Sequence, residues 1–137
     1  MEKTKQPLFT SIDCIRLYVP NLEEGINYYC NSLGMKIIWK TDSEAGLGMG
    51  EGITEIVIQN ESKEPEIDIK VDSVVEAVGR IKKAGGQIVA GPFEIKIGKC
   101  AVVKDPWDNK YVILDTTKGL FITDKEGNIV GQEKPSN

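Results

Sequence analysis

An α+β fold built from two copies of one βαβββ unit is predicted by three features of the chain. Residues 15–38 lie over residues 67–90 without a gap, which sets Val19 on Val71, Asn21 on Ser73, Glu24 on Glu76, Gly34 on Gly86 and Ile37 on Val89. Each copy reads as an alternating strand, a capped helix, a glycine stop and a further strand. Just before the copies, Cys14 falls on Glu66. A duplicated unit implies a pseudo-two-fold, and a pseudo-two-fold places equivalent strands around a shared cleft where a ligand can sit.

The elements can be justified in order. Residues 11–19 alternate, with Ile15, Leu17 and Val19 set to face a helix layer and Cys14, Arg16 and Tyr18 set to face the other way. Asn21 offers a cap with Glu24 three residues on, and Leu22, Ile26, Tyr29 and Leu33 recur at helical spacing up to Gly34. Residues 35–40 read as a second strand. The glycine-rich run 46–52 reads as a pliable third strand and loop, and residues 53–59 as a fourth strand. A polar linker, 60–65, leads to the second copy. There, residues 66–71 alternate strictly, Ser73 and Glu76 form a capping box, and Val74, Val78 and Ile81 make the buried stripe. The strand that starts at Gln87 is expected to bend at Gly91 and Pro92. After a turn at Gly98 the chain returns through 99–103, turns at 105–109 and ends the repeat with strand 110–115. Residues 1–117 therefore form one domain. Residues 118–137 form an extension with a small hairpin, its arms at 120–122 and 129–130 and its turn at 124–128, and fraying from Gln132 onward.

Composition closes several routes. The chain has 137 residues, 40% hydrophobic and 28% charged, enough for one domain with a sizeable core. A net charge of −4 and a pI near 5.0 argue against nucleic acid or an anionic membrane as partner. The polar start, the lack of an apolar run of membrane-spanning length and three scattered cysteines point to a reducing cytoplasm. Histidine is absent, so no Ser-His-Asp triad, Cys-His dyad or imidazole metal ligand can be built from one chain.

The ordered set "IRLYVPNLEEGINYYCNSLGMKI", "IKVDSVVEAVGRIKKAGGQIV" and "AVVKDPWDNKYVILD" resembles the vicinal oxygen chelate superfamily, which includes glyoxalase I, bleomycin-resistance proteins and extradiol dioxygenases. The resemblance spans residues 9–117. It implies that each module curls into part of a glyoxalase-like incomplete barrel, and that metal-dependent members carry ligands on the first and last strand of each module. Those positions here are Cys14, Glu55 (or Ile56, if the glycine-rich stretch shifts the alignment by one), Glu66 and Val112.

Only the two glutamates among them are of the expected type, and Val112 has no donor. The donor set therefore points to a protein without a bound metal or other cofactor. Glu55 and Glu66 are the candidate catalytic pair, suited to proton transfer if one holds a raised pKa, with plain hydration as the alternative. Cys14, Arg16, Tyr18, Trp39, Asp68 and Val112 are the candidate ligand contacts. Arg16 is expected to clamp an anionic or carbonyl-bearing molecule, or else to pair with Glu55, Glu66 or Asp68. Phe93 is a further aromatic candidate, Trp107 reads as a cap on the barrel rim, and Cys30 and Cys100 read as inert thiols. "GLGMGEG" lacks the ending and following helix of a phosphate loop. The expected function is small-molecule binding in the barrel cleft of a homodimer. Two rivals stand beside it, a metal-dependent lyase or isomerase of lactoylglutathione-lyase type and a bleomycin-resistance-like protein that sequesters a cationic drug.

Overall fold

A computed structural model describes residues 6–135. The first module contains β1 (Phe9–Tyr18), α1 (Leu22–Ile26), β2 (Lys36–Lys40), β3 (Glu44–Gly48) and β4 (Glu55–Gln59). The second contains β5 (Glu66–Val71), α2 (Val74–Lys83), β6 (Gln87–Ile95), β7 (Gly98–Lys104) and β8 (Lys110–Leu114). The eight strands make one mixed sheet in the order β2-β3-β4-β1-β5-β8-β7-β6, open at β2 and β6. β1 pairs with β5 antiparallel, and Ile15 lies opposite Ile67, its own repeat equivalent. The pseudo-two-fold axis therefore passes between those two residues, as the duplication predicts.

One face of the sheet packs on the helices in two separate cores. Val19, Ala45, Leu47 and Ile58 are buried under the first helix, and Val71, Val74, Ala77, Ile81, Ala101, Val103 and Ile113 under the second. Fully burying one such aliphatic side chain contributes about 1.5–3 kcal/mol, so each core can hold its own helix without sharing side chains with the other. Asn21 and Ser73 cap the helices by accepting from the Glu24 and Glu76 amides. The first helix departs from the expected periodicity. It continues beyond Ile26 as π-helical turns over Asn27–Ser32, and the extra residue per turn carries Leu33 off the apolar stripe to 57% exposure. Gly34 then takes φ +79, a left-handed conformation that closes the helix where a side chain would be strained. β6 bends as expected, with a register shift between Ala90 and Phe93.

The second helix is tied to the end of the repeat by Asp115. Its side chain, 2% exposed, accepts from the Val74, Lys99 and Thr117 amides and from the Thr117 hydroxyl. Beyond it lies the expected hairpin, β9 (Phe121–Thr123) and β10 (Ile129–Gln132). Its turn repeats the chemistry of residues 105–109. In each, the aspartate accepts from the amides two and four residues on, and the asparagine side chain donates back to it. Gln132 is not frayed, because its Nε2 donates to three backbone carbonyls, and Glu133 N donates to Leu120 O. The last residues of the stretch expected to fray, 136–137, and the polar start, 1–5, lie outside the described residues.

Candidate functional site

Strand register gathers the sequence candidates on the face opposite the helices, in two neighbouring rungs. Glu55, Cys14, Asp68 and Val112 are consecutive Cα partners across β4, β1, β5 and β8. The next rung runs from Trp39 through Gly46, Val57 and Arg16 to Glu66. Tyr18 sits one rung further, where the Lys63 ammonium lies 5.9 Å from its ring centre. Of the two fourth-strand candidates, Glu55 faces the cleft beside Cys14, while Ile56 packs in the first helical core. The register separates the family's positions in the second module, because Val112 stands beside Asp68 and not beside Glu66.

Alternation misplaces one residue. Between Ile12 and Cys14 the β1–β5 register shifts, so Asp13 and Cys14 together oppose Asp68. A bulge of this kind turns two successive side chains to the same face. Asp13 joins the cleft, within reach of Cys14 and Lys70, although its parity assigns it to the helix side.

These side chains are largely satisfied by one another. Trp39 Nε1 donates to Glu55 Oε1 at 2.7 Å, in space that Gly46 leaves by having no Cβ. Arg16 Nη2 donates to Glu44 Oε2 at 2.7 Å, and Arg16 Nε lies 3.6 Å from Glu66 Oε2. Of the partners that the sequence offered for Arg16, Glu66 is engaged. The shorter contact goes to Glu44, which sequence reading missed for want of any signal beyond a carboxylate at the edge of the glycine-rich run. Replacing Arg16 by alanine strands two partly exposed carboxylates and should cost about 1–2 kcal/mol in urea denaturation, with lysine recovering only part. A loss below a few tenths would remove the ion pair from the account.

Asp68 is the most perturbed group. Cys14 Sγ donates to its Oδ2 at 3.4 Å, while its buried Oδ1 has no partner among the hydrogen bonds of the described residues. Burial, then the adjoining Glu66, push its pKa from an ordinary 3.8 to about 8, with Cys14 and Arg16 pulling the other way. Protonated Asp68 resolves the orphaned oxygen, because an O–H there can donate to Glu66. Burial first and the Trp39 hydrogen bond against it leave Glu55 raised, and burial raises Asp13. Burial, then Asp68 and Asp13, push the Cys14 thiol far above its ordinary range, so it stays a thiol. A carboxyl whose folded pKa is raised contributes its full stability below the unfolded value and loses it as pH climbs through the folded one. The unfolding free energy should therefore fall between pH 4 and pH 8, by at most about 1.4 kcal/mol per pH unit per proton. Asp68→Asn should flatten the slope. Parallel curves for the two proteins would assign the slope elsewhere.

The donor set does not fit the metal that the family's metal-dependent members carry. Cys14 is a protonated donor to Asp68, Glu55 is held by Trp39, Val112 has no donor atom, and Glu66 faces Arg16. Among the described residues no three His, Cys, Asp or Glu side chains gather as a metal-holding group. A shallow cavity of about 200 Å³ opens beside these rungs at the linker end, lined by Glu66, Val102, Lys110, Tyr111 and Val112 among others. No helix among the described residues is long and apolar enough to cross a membrane.

Comparison with known proteins agrees with this architecture. The family model described as Glyoxalase/Bleomycin resistance protein/Dioxygenase superfamily matches residues 11–113. Two proteins named lactoylglutathione lyase, from Neisseria meningitidis serogroup A and serogroup B strains, are each 32% identical over 130 residues, covering 81% of this chain and 88% of theirs. Methylmalonyl-CoA epimerase from Mycobacterium tuberculosis superposes with a TM-score of 0.68 at 14% identity, over 82% of this chain and 92% of that one. A variant of homoprotocatechuate 2,3-dioxygenase from B. fuscum gives 0.59 at 18% identity, over 80% of this chain and 33% of that one. At such identities the two structural likenesses speak to the fold alone.

Proposed function

Because the chain belongs to the Glyoxalase/Bleomycin resistance protein/Dioxygenase superfamily, we propose that it binds a small organic molecule on the cleft face of its sheet without the metal set of the family's metal-dependent members. The observation that carries this reading is that Cys14, Glu55 and Glu66 are bonded to other side chains of the cleft, and that Val112 has nothing to offer a cation. Ligand chemistry follows from the charges. Asp13, Glu44, Glu55 and Glu66 surround the middle of the cleft, and the Arg16 guanidinium there is already engaged by two carboxylates. In place of the anionic or carbonyl-bearing ligand expected at Arg16, we propose a ligand bearing an amine, or several hydroxyl donors, that can lie against Trp39. This is the chemistry of the drug-sequestering alternative. We assign the protein to the cytoplasm and to a homodimer on the same reading.

An NMR titration of chelator-treated, ¹⁵N-labelled protein tests it, with aromatic amines and matched aromatic carboxylates as probes. Amines should shift the Trp39 indole signal and the amides of Cys14 and Asp68, and carboxylates should not. Carboxylates acting at those positions while amines leave them unmoved would reverse the assignment.

The Neisseria relatives favour a second reading, catalysis of lactoylglutathione-lyase type, since they share 32% identity with this chain. On that reading lactoylglutathione forms once zinc or nickel is added to the protein. The donor set argues for no such activity.

A further inference from the structure

We infer that the C-terminal hairpin is a clasp that joins the two open sides of the sheet and holds Trp39 in place on the cleft. This rests on contacts at both ends of the hairpin and is independent of what the cleft binds. At one end, Lys40 N on edge strand β2 donates to Gly127 O at 2.9 Å, and Lys40 bridges to Asn128. Gly127 is buried there against Ile37 and the Trp39 backbone, so closely that a Cβ would meet the Ile37 side chain. At the other end, Gln132 Nε2 donates to Lys96 O at 2.8 Å, in the turn that joins β6 to β7, and to Gly119 O at 2.8 Å. Lys118 reinforces that anchor, with its amide on Ile97 O at 2.9 Å and its ammonium on Glu94 at 2.7 Å and Ile95 O at 3.0 Å. β2 and β6 are the two strands at which the sheet stays open. The hairpin thus supplies, from residues beyond the stretch 11–113 that the family model covers, a connection between modules that the sheet makes only at its centre. Trp39, the residue next to Lys40, donates to Glu55, so the clasp ends one residue from a bond of the site.

A two-ended clasp makes a specific demand, that loosening one end releases the other. Gln132→Ala in the full chain removes side-chain contacts only at the far end of the hairpin from β2, to the Lys96, Lys118 and Gly119 carbonyls. It should nonetheless speed hydrogen exchange at the Lys40 amide about tenfold and shift the Trp39 indole signal, while amides of the central strands β1 and β5 keep their rates. Gly127→Val, which breaks the β2 end, should leave Lys40 unprotected with the same central amides unchanged. Unaltered Lys40 exchange in Gln132→Ala would overturn the inference. Equal acceleration at Lys40 and at the central amides in both variants would overturn it too, because the hairpin would then stabilise the whole sheet and not one edge.

Discussion

Asp115→Ala should lower the unfolding free energy by about 3–4 kcal/mol, because it strands one buried donor and several partly buried ones at once. The carboxylate accepts from Val74 N at 2.8 Å, Lys99 N at 3.0 Å and Thr117 Oγ1 at 2.9 Å. Val74 N is the first amide of the second helix, which no turn of the helix can satisfy. Each donor left unpaired costs about 1–3 kcal/mol, offset in part by water reaching the site. Burial raises the Asp115 pKa, but the donors from Val74, Lys99 and Thr117 outweigh it and leave the group below its ordinary value. The sign is thus opposite to that of Asp68. The Asp115 contribution is present above the unfolded value and disappears as pH falls through the folded one. Asparagine, which turns an amide donor toward other donors, should recover less than half. Urea denaturation with an unchanged m-value would read the loss cleanly, and a cost below about 1 kcal/mol would show that the network can be replaced by solvent.

Gly46→Ala should produce the largest change at the cleft itself. Gly46 is buried, and a Cβ on it would fall on the Trp39 indole nitrogen and beside Glu55 Oε1. Neither neighbour is free to yield, since they are hydrogen bonded to each other. Overpacking of this kind costs about 1–3 kcal/mol, and losing the indole–carboxylate bond adds to it. In a Trp107→Phe background, which removes an indole 79% exposed at a turn, the emission of Trp39 should shift to the red and the affinity for aromatic amines should drop about tenfold. Unchanged emission and affinity would mean that Trp39 and Glu55 are not coupled through this position.

Much of the fold is legible in the sequence because duplication is a statement about spacing, and spacing survives without knowledge of partners. The offset that sets Ile15 on Ile67 already contains the axis, and alternation places Cys14, Arg16, Glu66 and Asp68 on one face. What escapes depends on residues distant in sequence. A bulge exists only relative to its partner strand, so Asp13 cannot be assigned to the cleft until β5 is laid beside β1. The π-helical turns that expose Leu33 have no composition signature, because Asn27–Ser32 would also serve an ordinary helix. Arg16 has several carboxylates of suitable parity to choose from, and its short contact to Glu44 follows from the β3–β4–β1 register. The Trp39–Glu55 bond needs a glycine across the strand, and a glycine in a strand reads first as weakness and only afterwards as space.

Held by Asp68, Trp39 and Arg16 respectively, Cys14, Glu55 and Glu66 are proposed to bind no metal. Isothermal titration of chelator-treated protein with zinc or nickel, run beside Glu66→Gln and Glu55→Gln, tests this directly. No one-to-one isotherm is expected in the wild-type chain, and no difference among the three proteins. A one-to-one isotherm in the wild-type chain that either substitution abolishes would contradict it.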